Sequence, residues 1–252
     1  MGIKKKCAVL ACALSTSLMA SSVVRAEDVK GSLSILYSPH TTNLSAPGYL
    51  QHYGQLPIDH ENKGNGYYGF QGEVGYGRYS LSVDYLTGTS NTIAGAADFA
   101  SPTTFNPLTY ETSEVIDLRA GYSIIESGPI GTLDATLGYF RMWASPTISP
   151  PNWYDGLELG LRGRFRVHDS FTFTCELGYV PNVSVHGYMK DANLMKGRYL
   201  VNYMIGGEVP VGKDISIIGG YKGLRAVNKV VVDGSEAIVK FTGFYVGGAY
   251  NF

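Results

Sequence analysis

The 252-residue sequence predicts an all-β fold, a ten-stranded antiparallel up-and-down transmembrane β-barrel. Three observations carry that prediction. Apolar and polar residues alternate with period 2 in ten segments, the connections between the segments alternate between long and short, and tyrosine gathers on the apolar phase. Composition agrees. Only 16% of the residues are charged, against about 25% in a typical soluble domain, while 44% are apolar and the mean hydropathy is −0.01. With 32 glycines, 19 tyrosines and 3 cysteines, this is not the composition of a disordered chain, a disulfide scaffold or a coiled coil. A formal charge of −1 leaves no basic footprint for nucleic acid.

Residues 1–26 read as a signal peptide. Lys4, Lys5 and Lys6 precede an apolar stretch from Cys7 to Leu14, and small residues lead to Val24-Arg25-Ala26. Cleavage after Ala26 leaves residues 27–252 as the barrel, with a net charge of −5 because four basic residues depart. Cys175 then stands alone, which excludes an internal disulfide. No later stretch reaches the roughly 18 apolar residues that a spanning helix needs.

The first four strands are expected at 29–38, 66–76, 78–87 and 114–125, the next three at 132–143, 155–167 and 171–179, and the last three at 197–209, 215–225 and 240–252. The clearest alternation is in the sixth and seventh. Leu157, Leu159, Leu161, Phe165 and Val167 share one phase, with Gly156, Glu158, Gly160, Arg162, Arg164 and Arg166 on the other. Phe171, Phe173, Cys175, Leu177 and Tyr179 repeat the apolar phase, opposed by Thr172, Thr174, Glu176 and Gly178. Most segments are near the 9–11 residues that a tilted strand needs to cross a bilayer.

Long connections at 39–64, 88–113, 144–153, 182–196 and 226–238 alternate with tight turns near Gly77 and at 127–130, 168–170 and 211–214. That is the asymmetry between extracellular loops and periplasmic turns, and an even strand count puts both termini on the periplasmic side. Twelve of the 19 tyrosines (37, 68, 76, 79, 85, 122, 139, 179, 199, 203, 221 and 250) fall on the apolar phase, many near strand ends where aromatic girdles sit.

Ten strands about 4.8 Å apart and tilted about 40° enclose a cylinder roughly 20 Å across, which side chains from both walls largely fill. The inward phase carries Glu73, Asp84, Asp117, Asp134, Glu158, Glu176 and Glu208 against Arg78, Arg119, Arg162, Arg164, Arg198 and Lys222. This near balance predicts a salt-bridged plug rather than an open pore, because buried charge is costly unless paired. Arg162 is expected opposite Glu176, flanked by Asp134, and inward glycines such as Gly138 and Gly178 make room for the larger side chains.

Function in such a scaffold resides in the loops. His40, His52 and His60 lack the spacing of a metal site, and no nucleophile elbow, dinucleotide fingerprint or phosphate loop occurs, so neither metal nor cofactor is expected. The C-terminal run from Phe244 to Phe252, with Tyr250 and Phe252 in the alternating aromatic positions, looks like the assembly signature of Gram-negative outer-membrane proteins. That resemblance implies the barrel assembly machinery as a partner, with outer-membrane lipids and lipopolysaccharide around the wall.

The ten-stranded layout, and most closely Tyr154-Asp155-Gly156-Leu157-Glu158-Leu159-Gly160-Leu161-Arg162 with the following strand, resembles the omptins, a family of outer-membrane proteases. The resemblance implies an acidic pair in the second extracellular loop and an Asp-x-His pair in the fourth. Here the second loop offers Asp98 alone before Phe99, and the fourth offers His186 with Ser184 two residues earlier and Asp191 beyond. The expected role is therefore a structural or surface-interaction scaffold whose loops meet an extracellular ligand. The alternatives are a hydrolase using Asp98, His186 and Asp191, or a narrow channel lined by Arg162, Arg164 and Glu176.

Overall fold

The computed structural model describes residues 29–45, 59–63, 66–89, 110–126, 131–146, 152–187, 195–231 and 234–252. The first strands are β1 (Val29–Ser38), β2 (His40–Ser45), β3 (Asp59–Lys63), β4 (Gly66–Tyr76) and β5 (Tyr79–Thr89). Then come β6 (Tyr110–Glu126), β7 (Gly131–Pro146), β8 (Asn152–His168), β9 (Phe171–Val180) and β10 (Ser184–His186). The last are β11 (Met195–Pro210), β12 (Ile215–Val230) and β13 (Glu236–Asn251). Every pairing is antiparallel, and β1 bonds to both β4 and β13, which closes the sheet into a barrel.

The barrel has ten staves. Where β1 ends, β2 carries the same stave on along β13, and β3 pairs with β2 before the chain enters β4. In the same way β10 prolongs β9 along β8. At the opposite end Gly31 and Phe252 exchange two backbone hydrogen bonds of 2.9 Å, so both ends of the ladder lie beside the tight turns.

The outer wall is apolar. Leu33, Ile35, Leu81, Leu137, Leu157, Leu159, Leu177, Ile205, Ile217 and Val246 are all exposed, as are nine of the twelve tyrosines assigned to this face. In water such a surface would be strongly unfavourable; against lipid it is the required one. The tyrosines form two belts. Tyr79 and Tyr122 pack 5.4 Å apart at the turn end, and Tyr37 and Tyr68 pack 4.9 Å apart at the other. Tyr68 and Tyr76 on β4 are eight residues apart, about 20 Å of barrel height at ~3.3 Å per residue and ~40° tilt, close to the apolar band of an outer-membrane barrel.

The strands outrun their expected limits at the loop end. β8 begins at Asn152 rather than Asp155, β12 continues to Val230 and β13 starts at Glu236. The connections expected at 144–153 and 226–238 shrink accordingly, so the contrast between long loops and short turns is weaker than the sequence suggests. The cause is an inversion of polarity. Beyond the upper belt the strands keep period 2, but apolar residues now face inward: Phe140, Met142, Tyr154, Val180, Val183, Val185, Leu200, Leu224 and Ala226 form a buried cluster. Polar residues such as Arg225, Lys229 and Lys240 take the outer face.

Glycine supports the interior where the wall must come close to a large side chain. A Cβ on Gly178 would lie 2.4 Å from the Glu158 carboxyl, and one on Gly138 would lie 2.8 Å from Arg119 Cγ. Gly178→Ala is therefore expected to displace Glu158 and destabilise the barrel by about 1–3 kcal/mol. A lower urea midpoint for loss of the fast-migrating, unboiled band on a denaturing gel is the readout. An unchanged midpoint would refute the close packing, and absence of any heat-dependent shift in the wild type would refute the barrel.

Candidate functional site

Two clusters hold chemistry-bearing side chains: a charged layer inside the barrel and a polar-aromatic patch on its outer wall.

The charged layer is built around Arg119, which is only 5% exposed. β6 directs Asp117 and Arg119 inward two residues apart, and its neighbour β5 sets Asp84 directly opposite Asp117. Two carboxylates in that relation repel unless a cation lies between them. The Arg119 guanidinium supplies it, with short contacts to Asp117, 2.6 Å to Glu176, 3.0 Å to Glu158 and 3.6 Å to Asp84. Lys222 from β12 reaches Asp84 at 3.4 Å. The Asn202 amide donates to Asp117 at 2.9 Å and to Glu158 at 3.5 Å.

Towards the turn end, Arg162 stands opposite Glu176 in the β8–β9 ladder and pairs with it at 2.8 Å. It also reaches Glu73 at 3.1 Å and donates to Ser82 at 2.8 Å. Arg164 shares Glu73 at 3.1 Å from a half-exposed position. Asp134 lies across from Arg162 in the ladder, yet accepts its 2.6 Å hydrogen bond from Ser123 instead. Glu208 accepts from Asn251 at 2.9 Å and lines a cavity of about 70 Å³ with Ser32, Gln71 and Arg164. A smaller space of about 30 Å³ lies between Asp117, Lys222 and the apolar cluster.

Two inward assignments are corrected. Arg198 is exposed and pairs with Glu236, because a bulge between Gly197 and Tyr199 breaks the β11–β12 register and turns it off the inward phase. Arg78 belongs to the Gly77 turn, where it pairs with Glu126 at 3.6 Å in solvent. With both outside, the interior is no longer balanced. Around the layer Glu73, Asp84, Asp117, Asp134, Glu158 and Glu176 face Arg119, Arg162 and Lys222, with Arg164 at its edge. Neutral donors from Ser123 and Asn202 supply hydrogen bonds that further cations would otherwise make.

The outer patch was not foreseen as a unit. His186 Nε2 is 3.2 Å from Asp155 Oδ1, and the Tyr139 hydroxyl donates to Asp155 Oδ2 at 3.0 Å. The His186 ring stacks on Trp153 at 5.2 Å with 7° between the planes. Arg141 lies 4.2 Å over the Trp143 ring. The two tryptophans face each other across the β7–β8 ladder. Strand phase held the signal: Tyr139, Arg141 and Trp143 alternate with buried Phe140 and Met142, and Trp153 and Asp155 flank buried Tyr154. Of the residues considered for hydrolysis, Asp98 and Asp191 lie outside the described residues. His186 takes Asp155 as its carboxylate partner, on the wall rather than in the lumen.

No protein-family model and no curated protein matches the chain. Among solved structures it is similar to the toluene transporter TodX of P. putida, at 8% identity over 90% of each chain with a TM-score of 0.33. Outer-membrane expressed OmpT of Vibrio cholerae is 8% identical over 92% of this chain and 100% of that one, with a TM-score of 0.30. The monoaromatic hydrocarbon channel CymD is 8% identical over 88% of both, with a TM-score of 0.31. Likeness this remote carries no argument about activity. The chain's own closed ladder and apolar outer wall make it an outer-membrane β-barrel.

Proposed function

We propose that the protein is a surface scaffold whose lumen is closed to solutes, exported by its N-terminal segment, inserted through its C-terminal aromatic signature and displaying extracellular loops to a ligand. The observation that supports closure most directly is the stacking of two unlike fillings. The Arg119 ion network occupies the membrane-level interior, and the Phe140–Met142–Leu200 cluster fills the barrel above it. A solute would have to break buried ion pairs and then enter an apolar core, two different penalties in series.

A second reading, a narrow channel, draws on the polar cavity of about 70 Å³ below Arg162, lined by Glu73 and Arg164. The hydrolase reading keeps only an oriented His186, since a base also needs a substrate-facing partner within hydrogen-bond reach. Cleavage of a dye-labelled peptide panel, lost in His186→Ala, would restore it.

Planar-bilayer recording decides between scaffold and channel. The refolded protein is expected to be silent, whereas discrete steps altered by Arg162→Ala would overturn the closed lumen. Arg119→Met tests the same layer thermodynamically. Removing the shared cation leaves Asp117 and Glu158 without an ion-pair partner, while Asp84 keeps Lys222 and Glu176 keeps Arg162, and an uncompensated buried charge costs about 3–5 kcal/mol. A large fall in the urea midpoint is expected, and a midpoint equal to the wild type would show that the network does not hold the interior together.

A further inference from the structure

We infer that the cavity of about 70 Å³ at the turn end of the lumen is a binding site for the primary ammonium group of a small aliphatic amine. The ion pairing of its lining argues first. Glu73, Asp84, Glu176 and Glu208 line this cavity, against the guanidinium groups of Arg162 and Arg164. Three of these acids hold two cations each. Glu73 has Arg162 and Arg164, Glu176 has Arg119 and Arg162, and Asp84 has Arg119 and Lys222. Glu208 has none among the described residues, where its partner is the neutral Asn251 amide at 2.9 Å. Both guanidinium groups of the lining are thus committed to other acids. A carboxylate set between low-dielectric walls without a counter-ion draws a cation from solution.

The neutral groups argue second. Ser34 and Gln71 face each other in the β1–β4 ladder and line the same cavity. The Gln71 amide nitrogen points to the Met204 sulfur at 3.9 Å, a weak acceptor, and its carbonyl oxygen accepts from no described residue. Ser34 is only 6% exposed, and its hydroxyl has no partner among the described residues. The cavity therefore offers acceptors in want of a donor. An ammonium group carries three donors and no acceptor, which suits one carboxylate with neutral oxygens around it. A calcium ion takes roughly six to eight oxygens, several of them from carboxylates. Among the described residues no group of three His, Cys, Asp or Glu side chains could hold a metal ion.

Size and position set the rest of the ligand. A water needs roughly 10–15 Å³ of such space and benzene occupies a cavity of about 150 Å³. The volume of about 70 Å³ therefore admits an aminoalkyl end but neither a sugar ring nor an acyl chain. The lining runs from Ser32 and Asn251, beside the Gly31–Phe252 hydrogen bonds, up to Asp84 and Glu176, where the Arg119 layer closes it. The site is a cup entered from the turn end, past the half-exposed Arg164. It stops below the closed layer, so its failure would leave the closed-lumen reading standing.

The test titrates folded, full-length barrel in detergent by calorimetry with putrescine, a linear diamine, and with the uncharged diol of the same carbon chain. The wild type is expected to bind the diamine about tenfold or more tightly than the diol. Glu208→Gln keeps the size of the side chain and removes its charge, and is expected to abolish that preference. Glu236→Gln, on the exposed loop end, leaves it intact. Where Glu208→Gln gives no heat-modifiable band, Gln71→Leu decides, since it removes a neutral acceptor and no charge; it is expected to weaken the diamine about threefold or more and to leave the diol unchanged. Equal binding of diamine and diol by the wild type overturns the proposal, as does displacement of the diamine by an equal concentration of magnesium. A preference surviving in folded Glu208→Gln, or an unaltered diamine affinity in Gln71→Leu, does the same.

Discussion

Everything inside this barrel depends on one guanidinium. Asp84 and Asp117 stand opposite each other on adjacent strands, and Glu158 and Glu176 approach from β8 and β9. Without Arg119, Asp117 and Glu158 would have no cation in a space from which water is largely excluded, and Asp84 and Glu176 would keep only Lys222 and Arg162. With it, strands on different sides of the barrel are tied to one planar cation that can accept several acids at fixed angles. Lysine could neutralise one of them but could not reach in four directions. The surrounding sequence follows from this choice. Gly138 and Gly178 keep the wall clear of Arg119 and Glu158, and Asn202 supplies a neutral donor between two acids.

The barrel was legible in the sequence because a lipid-facing strand has a period of two and no ambiguity about which face is apolar. Leu157, Leu159 and Leu161, or Phe171, Leu177 and Tyr179, disclose their orientation without any tertiary information. The Arg162–Glu176 pair was legible for the same reason, since the short turn at 168–170 leaves little freedom in the register. Register carried over several strands is different. Arg119 meets Glu158 and Glu176 across the lumen, and such contacts depend on barrel stagger, which no local pattern encodes. Arg198 was misassigned by the same logic, as one bulged residue shifts the phase of what precedes it without altering the alternation on either side.

The strand ends were harder to read for a more general reason. Within the bilayer, apolar means outward; above it, apolar means inward, as in any water-soluble sheet. β7 crosses that boundary between Tyr139 and Arg141 on its outer face, while Asp134 gives way to Phe140 and Met142 on its inner face. A reading tuned to the membrane phase stops at the crossing and assigns the rest to a loop. The inversion is nonetheless a usable signal. A period-2 segment whose polar and apolar faces exchange partway along marks the edge of the bilayer.

That exchange also explains why the molecule can separate its tasks. The membrane section satisfies its interior with ion pairs because its outer face has claimed the apolar residues; the section beyond the loop-end belt does the reverse and stands on an ordinary apolar core. The outer-wall patch sits on the seam, where an arginine can keep its stem near lipid and its charge among headgroups. At that level both solvents reach one face of the sheet. A residue pair such as Asp155 and His186 would be desolvated one turn of alternation lower and fully hydrated higher up. The seam is therefore the place on this wall where the Arg141 guanidinium can lie over the Trp143 ring and stay half-buried at the edge of the apolar band.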